Sequence, residues 1–458
     1  MDTLHADLLV IGFGKGGKTL AATMGRAGKR VVMVEQSAKM YGGTCINIGC
    51  VPTKALIHRA SERPDGADRA KWYAESVAWT AELTSAMRGK NFRMLDTLDS
   101  VTVVTGTGAF LDEHTVEVVA GDDRLEITAD TIVINTGAQN VIPDIPGLRD
   151  SPHLVTGTDL IAGPDMPHRI TILGAGYQGL EFAAMLSSYG TEVTVLESTP
   201  RILPREDDDI AQAVRDILDG EGITFVTSAR VTRVEDTDDA AVVHYEHDGA
   251  AATVTADLVL AATGRAPRTD GLRLEAAGVR STARGAVEVD AHLRTNRPHI
   301  FAVGDVNGGP QFTYVSLDDH RIVADQLLGE GRRSTADRVA VPFTVFMTPP
   351  LARVGLTEAE ARATGRPVRV AAKLIADVMA MPRASILGDT RGLMKFVVDA
   401  ETDAILGAAI LSVDAQEIVN TVALAMRSGT TAGTLRDSIW THPSSTEALN
   451  EVLATVVR

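Results

Sequence analysis

Hydrophobic and polar positions alternate along the chain in blocks that repeat. An apolar run at 7–11 predicts a strand. It leads into GFGKGG, then into an Ala-rich stretch with helical spacing that closes at Gly28, then into a second apolar strand ending at Glu35. The same order recurs from the strand at 170–173: Gly12, Gly14, Gly17, Gly28 and Glu35 reappear in one register as Gly174, Gly176, Gly179, Gly190 and Glu197. Strand, GxGxxG turn, helix and terminal acid form the dinucleotide-binding βαβ fingerprint. Its first glycine allows the tight turn, the second lets backbone approach a pyrophosphate, and the third lets helix pack on strand. The helix N-terminus offers N–H groups to phosphate, and the acid accepts from ribose hydroxyls.

A smaller repeat supports the first. ADTIVINTGA and ADLVLAATGR place Asp130, Thr136 and Gly137 opposite Asp257, Thr263 and Gly264. Each follows a stretch of period-two alternation, VTVVTGTGAFLDEHTVEVV and VTRVEDTDDAAVVHYEHDGAAATVTADLVL, which predicts antiparallel strands returning the chain to its own nucleotide domain. The expected fold class is α/β, with two nested Rossmann-like units and a C-terminal α+β dimerisation domain. The predicted boundaries are 1–148 and 273–338 for the two parts of the first nucleotide domain, 149–272 for the second, and 339–458 for the last segment, which alternates strand and helix signals without a third fingerprint.

Charge and composition then narrow the partners. A chain of 458 residues with a net charge of -16 lacks the basic patch that nucleic acid or an anionic membrane requires. No apolar run approaches the ~18 residues of a membrane span, and the N-terminal segment lacks a basic region followed by an apolar core and cleavage site. A cytoplasmic protein is expected. The two cysteines, Cys45 and Cys50, lie in one short segment, MYGGTCINIGCVPTKALIHRA, so they cannot staple a secreted scaffold. Positions five apart in a regular helix are beyond disulfide reach, so the backbone must break between them, as Gly42, Gly43 and Gly49 permit. A helix from Pro52 onward would favour a thiolate at its start. Lys54 would share a face with Cys50 if that cysteine already enters the helix. A redox-active pair is the leading reading. The alternatives are a zinc half-site, for which His58 does not complete a ligand set, and two inert thiols.

GGTCINIGCVPTK resembles the active-site signature of the class I pyridine nucleotide-disulfide oxidoreductases, which include dihydrolipoamide dehydrogenase, glutathione reductase and mercuric reductase. The likeness extends over nearly the whole chain. It implies an FAD site at Gly12, Gly14, Gly17, Glu35, Gly43, Thr44, Lys54, Thr136, Gly137, Gly304 and Asp305, the last two within TNRPHIFAVGDVNGGPQF. It implies a nicotinamide site at Gly174, Gly176, Tyr177, Gly179, Glu181, Glu197 and Gly264. Cys50 resembles the cysteine beside the flavin, Cys45 the one that attacks substrate, Lys54 and Glu181 an ion pair by the ring, and Tyr177 a lid over the nicotinamide pocket. THPSSTEALNEVL resembles the C-terminal signature in which His442 is the base and Glu447 its orienter. In the family that histidine serves the partner subunit, so a homodimer is implied.

Within the family, GFGKGGKT and EQSAKMYGGTCINIGCVPTKALIH are most similar to the reactive-chlorine-resistance branch. That branch is associated with NADH-dependent reduction of hypothiocyanous acid, oxidised thiol-type targets and copper(II). No metal site is expected from the sequence; Met379, Met381 and His58 are conceivable copper ligands, but methionine as core filler is the commoner case. Glu197 in place of the arginines that bind a 2′-phosphate favours NADH, while Arg201 leaves room for NADPH. The alternatives are dihydrolipoamide dehydrogenase, another disulfide or mercuric-type metal-ion reductase and, outside enzymes, a redox-sensing flavoprotein.

Overall fold

The structure is a computed structural model that describes residues 2–455. The first nucleotide unit opens with β1 (Asp2–Ile11), α1 (Lys15–Arg26) and β2 (Val31–Glu35). Two helices follow in the cysteine segment, α2 (Thr44–Asn47) and α3 (Cys50–Ser61), then the long α4 (Arg69–Asp96). Next come β3 (Val101–Thr105), β4 (Thr107–Phe110), β5 (Thr115–Ala120) and β6 (Asp123–Ile134). These strands form one sheet in the order β3-β2-β1-β6-β5-β4. β1, β2, β3 and β6 run parallel, and β4 and β5 return antiparallel onto β6.

The second unit is threaded into the first. After β7 (Ala138–Asn140), β8 (Leu154–Val155) and α5 (Gly157–Ala162) come β9 (Arg169–Leu173), α6 (Tyr177–Tyr189), β10 (Glu192–Leu196), α7 (Asp208–Gly220) and β11 (Thr224–Val226). A three-stranded antiparallel meander follows, β12 (Arg230–Asp236), β13 (Ala241–His247) and β14 (Ala250–Ala256), before β15 (Leu258–Ala261). The parallel sheet here is β11-β10-β9-β15-β8. The chain then recrosses through β16 (Arg265–Pro267), paired antiparallel with the outgoing β7, and completes the first sheet with β17 (Ile300–Ala302) beside β6. α8 (Thr313–Leu328) packs on α1. The last segment is an antiparallel sheet, in the order β18 (Phe343–Val345), β19 (Leu351–Gly355), β22 (Ile405–Leu411), β21 (Leu393–Asp399) and β20 (Val368–Leu374), backed by helices at Ala415–Arg427 and Ala448–Ala454.

The central strands are apolar on both faces, as parallel strands covered by helices must be: every residue of β2 is buried, and β9 is buried from Ile170 to Leu173. Three local expectations change. β1 begins at Asp2, five residues before the apolar run, because its first half pairs with 125–129 of β6. Val101–Thr105 joins the parallel sheet and not the antiparallel return, because it pairs with β2. The helix expected from Pro52 starts at Cys50, with Pro52 inside its first turn.

Candidate functional site

The two fingerprints open onto one cleft of about 2530 Å³. Glycine geometry shapes its walls. Gly12 has φ +102°, and a methyl there would stand 2.3 Å from the Asn135 carbonyl oxygen. Gly43, at φ +80°, lies against Gly14, whose Cα would be 2.7 Å from an added methyl. Gly174 has φ +105°, and a methyl on Gly179 would strike the Gly174 carbonyl at 2.1 Å. Neither α1 nor α6 has a side-chain cap; Gly14 and Gly176 hold the cap positions. Both helix N-termini therefore present backbone to the cleft, which suits a pyrophosphate in each. The volume, the glycine cradles and the two uncapped helices fit FAD and a nicotinamide dinucleotide.

The two acids take up the same post. Glu35 Oε2 accepts from Phe13 N at 2.9 Å, and Glu197 Oε2 from Ala175 N at 2.7 Å. Glu197 Oε1 also accepts from Thr199 N (2.7 Å) and from the Ser198 and Thr199 hydroxyls. Each carboxylate fixes the glycine loop and lines the cleft. Burial pushes the Glu35 carboxyl above its usual range. Thr136, Gly137, Gly264, Gly304 and Asp305 line the cleft too. The pairs Thr136–Arg268 and Thr263–Val141 tie the two chain crossings together, each hydroxyl donating to the opposite carbonyl at 2.6 and 2.8 Å. Burial raises the Asp305 carboxyl, against the pull of the Arg265 guanidinium.

At the centre stand the cysteines. Gly43 caps α2, Gly49 precedes α3, and Ile48 and Gly49 supply the break between them. Cys45 is half-buried, Cys50 exposed to the cleft, and both are free thiols. Cys50 is the first residue of α3. The Cys45 thiol beside it is the main influence that holds Cys50 down at about 6; burial opposes this and the Lys54 cation assists it. Cys45 shifts the other way, raised by sharing its proton with Cys50 and by burial. Thr313 Oγ1, at the start of α8, lies 3.9 Å from the Cys50 sulfur.

Lys54 Nζ donates to Glu181 Oε2 at 2.6 Å, linking α3 to α6. Glu181 Oε1 accepts from Phe346 N at 2.9 Å, and the Lys54 ammonium lies 5.0 Å from the Phe346 ring centroid. Three parts of the chain thus meet at one ion pair. Tyr177, at the start of α6, donates to Glu206 Oε1 at 2.8 Å. Glu206 is buried and pairs with Arg353 at 2.8 Å, while the Tyr177 ring packs on Phe343.

His442 and Glu447 are together but elsewhere. His442 Nδ1 is 3.0 Å from Glu447 Oε2, and Glu447 Oε1 accepts from Ser444 N at 2.7 Å. Those contacts hold the Glu447 carboxyl below its usual range, against its burial. The imidazole is 72% exposed and lies outside the cleft of its own chain. Of the conceivable copper ligands, Met381 is buried, Met379 is exposed, and His58 pairs with Glu62.

Sequence reasoning missed Asn135, Thr313 and Phe346. Asn135 Oδ1 accepts from Gly17 N at 3.0 Å, and its Nδ2 donates to the Val303 carbonyl at 2.7 Å, locking α1 to β6 and β17. Its neighbours Thr136 and Gly137 gave the only signal of its place.

Residues 6–319 match the pyridine nucleotide-disulphide oxidoreductase family, and 341–453 its dimerisation domain. The chain is 45% identical over 448 residues to the probable pyridine nucleotide-disulfide oxidoreductase RclA of Escherichia coli strain K12, covering 98% of each. It is 33% identical to a mercuric reductase of Staphylococcus aureus, over 97% of this chain and 81% of that one. To a dihydrolipoyl dehydrogenase of Mycobacterium tuberculosis it is 34% identical, over 98% and 97%. A solved Cu(II) complex of the HOCl-induced flavoprotein disulfide reductase RclA from Escherichia coli superimposes with a TM-score of 0.94 at 44% identity, covering 99% of this chain and 100% of that one. Fold, cleft and likeness agree: this chain belongs to the pyridine nucleotide-disulphide oxidoreductases, flavoprotein enzymes that use FAD and a nicotinamide cofactor.

Proposed function

We propose that this protein is an NADH-dependent disulfide reductase of oxidative-stress defence, whose Cys45–Cys50 pair delivers electrons to hypothiocyanous acid, copper(II) or a similar oxidised acceptor. The observation that carries the reading is the placement of both sulfurs in the one cleft that the two glycine fingerprints share, Cys45 on α2 and Cys50 at the start of α3, one turn before Lys54; there the Cys50 thiol is drawn down and the Cys45 thiol pushed up.

Gly12, Gly14, Gly17, Glu35, Gly43, Thr44, Lys54, Thr136, Gly137, Gly304 and Asp305 would hold FAD. Gly174, Gly176, Tyr177, Gly179, Glu181, Glu197 and Gly264 would hold the nicotinamide dinucleotide. When bound, these groups supply a hydride equivalent, two electrons and one proton, to the sulfurs. Breaking the S–S bond with that equivalent leaves Cys50 as thiolate and Cys45 as thiol, so no outside proton is consumed. Lys54 offsets the Cys50 charge and Glu181 fixes Lys54 in place. Cys45 must lose its proton before it attacks. With Nδ1 engaged by Glu447, Nε2 of His442 is free to take that proton. Because His442 lies outside its own chain's cleft, the reading requires His442 of the partner subunit, hence a homodimer.

The Cys45 sulfur then attacks the sulfur of hypothiocyanous acid, Cys50 closes the disulfide, and thiocyanate and water leave. With copper(II), two ions are reduced to copper(I) as the disulfide re-forms. The Cu(II) complex of the Escherichia coli relative supports the second acceptor. For the nicotinamide, Glu197 with Ser198 and Thr199 favours NADH, and Arg201 is turned toward Asp208 and the Pro204 carbonyl. No helix among the described residues is long and apolar enough to cross a membrane. The working dithiol suits a reducing cytoplasm.

Purified, flavin-loaded protein fed NADH tests the proposal. Steady consumption with hypothiocyanous acid or copper(II), by a species of two chains' mass, is expected. Fast turnover with lipoamide alone would identify a dihydrolipoamide dehydrogenase, and none with any acceptor would favour a redox sensor.

A further inference from the structure

Lys18 lies on α1, four residues after the capping Gly14, and is only 4% exposed. Among the described residues, no carboxylate stands within ion-pair distance of its ammonium. The ammonium donates to the Gly42 carbonyl at 3.2 Å and to Asn91 Oδ1 on α4. The titratable groups that act on it are Lys15, on the same helix, and Cys45, on α2. A buried ammonium without a counter-ion is unfavourable, and burial draws its pKa down to about 8. The charge nevertheless persists at neutral pH. Cys50 and burial push the Cys45 thiol up; the Thr313 hydroxyl and then the Lys18 ammonium pull it down, Lys18 being the one cation among these influences.

The placement is fixed from several sides. Gly42, whose carbonyl receives Lys18, has φ +98°, and a methyl there would strike Ile46 at 2.1 Å. Asn47 binds the Gly43 carbonyl at 2.9 Å and is itself held by Arg88 at 3.0 Å. The turn that carries Cys45 is thus anchored, and Lys18 stands outside the cleft that Cys45 lines. The cation that acts on Cys50 is Lys54, on α3.

We propose that Lys18 is the electrostatic positioning residue of Cys45, its buried ammonium stabilising the thiolate with which Cys45 attacks the acceptor. The two sulfurs would then be governed by separate cations, Lys54 for the resting charge on Cys50 and Lys18 for the transient charge on Cys45. This rests on the reading of Cys45 as the attacking thiol.

The test uses flavin-loaded Cys50→Ser protein, in which Cys45 is the sole thiol, and follows its alkylation by iodoacetamide across pH. Adding Lys18→Met or Lys18→Gln should slow alkylation at pH 7 about tenfold and raise the pH midpoint by about one unit. Thermal midpoints should hold or rise, because an uncompensated buried charge has gone. Lys18→Gln keeps a donor for the Gly42 carbonyl. A normal rate in that variant beside a slow one in Lys18→Met would mean an anchoring role only and overturn the proposal, as would normal rates in both. If neither variant folds, Asn91→Asp decides: a carboxylate beside Lys18 should also slow Cys45, and an unchanged rate would refute the idea. Cysteines that never form a disulfide in the parent would instead refute the assigned function and leave the alkylation result standing.

Discussion

A methyl group on Gly17 would stand 2.6 Å from Asn135 Oδ1 and 2.7 Å from Val10 Cγ1, side chains that are themselves buried. Gly17→Ala should therefore lift α1 off the sheet, at about 1–3 kcal/mol of overpacking, and the protein should purify with a clearly lower ratio of flavin to protein absorbance. Gly220→Ala, where a methyl meets nothing within 4 Å, should keep the wild-type ratio. At this scale the sequence was most legible where a fingerprint is local. The glycines, Glu35, Glu197 and the cysteine pair all lie within short motifs whose spacing has a mechanical reason. Asn135, Thr313, Phe346 and the burial of Lys18 were not legible, because each acts across more than twenty residues and none belongs to a rare residue type. Glu181 and His442 were readable only through family likeness, since a helix carboxylate and an exposed histidine are ordinary surface features.

Among the elements, one side chain reinforces the backbone ladder that joins β9 to β15. Asp257 accepts from His168 N at 3.0 Å, from Arg169 N at 2.9 Å and from the Arg169 guanidinium at 2.8 and 3.1 Å. Its carboxyl is held below the usual range by those donors, although burial works against them. A depressed carboxylate contributes stability above its unfolded pKa and loses it as pH falls through the folded one. Asp257→Ala should cost about 1 kcal/mol at neutral pH, a modest figure because Arg169 is 42% exposed. The gap to wild type in denaturant midpoint should shrink below about pH 4; a gap independent of pH would remove the ionic explanation. Asp130, its repeat counterpart, has an exposed side chain near His5, so the repeat predicts the turn and not the job. The helix α4 shows why periodicity fails elsewhere. Its buried positions include Ser76, Thr80 and Thr84, which give no apolar stripe to read.

Over the whole molecule, the unfinished features gather in the C-terminal segment. Met379, Ile386, Leu424 and Ile439 are large apolar side chains left in solvent, and they lie within the region that matches the dimerisation domain. Ile439 stands three residues before His442. A second subunit would cover such a surface and carry the histidine toward the cysteines it cannot reach in its own chain. Cys50 is the sulfur proposed to lie beside the flavin. Cys45→Ser protein, loaded with FAD, should show a long-wavelength charge-transfer band that rises with pH as the Cys50 thiol ionises and is missing from Cys50→Ser. A flavin-bound Cys45→Ser protein without that band at any pH, or an equal band in Cys50→Ser, would contradict the assignment.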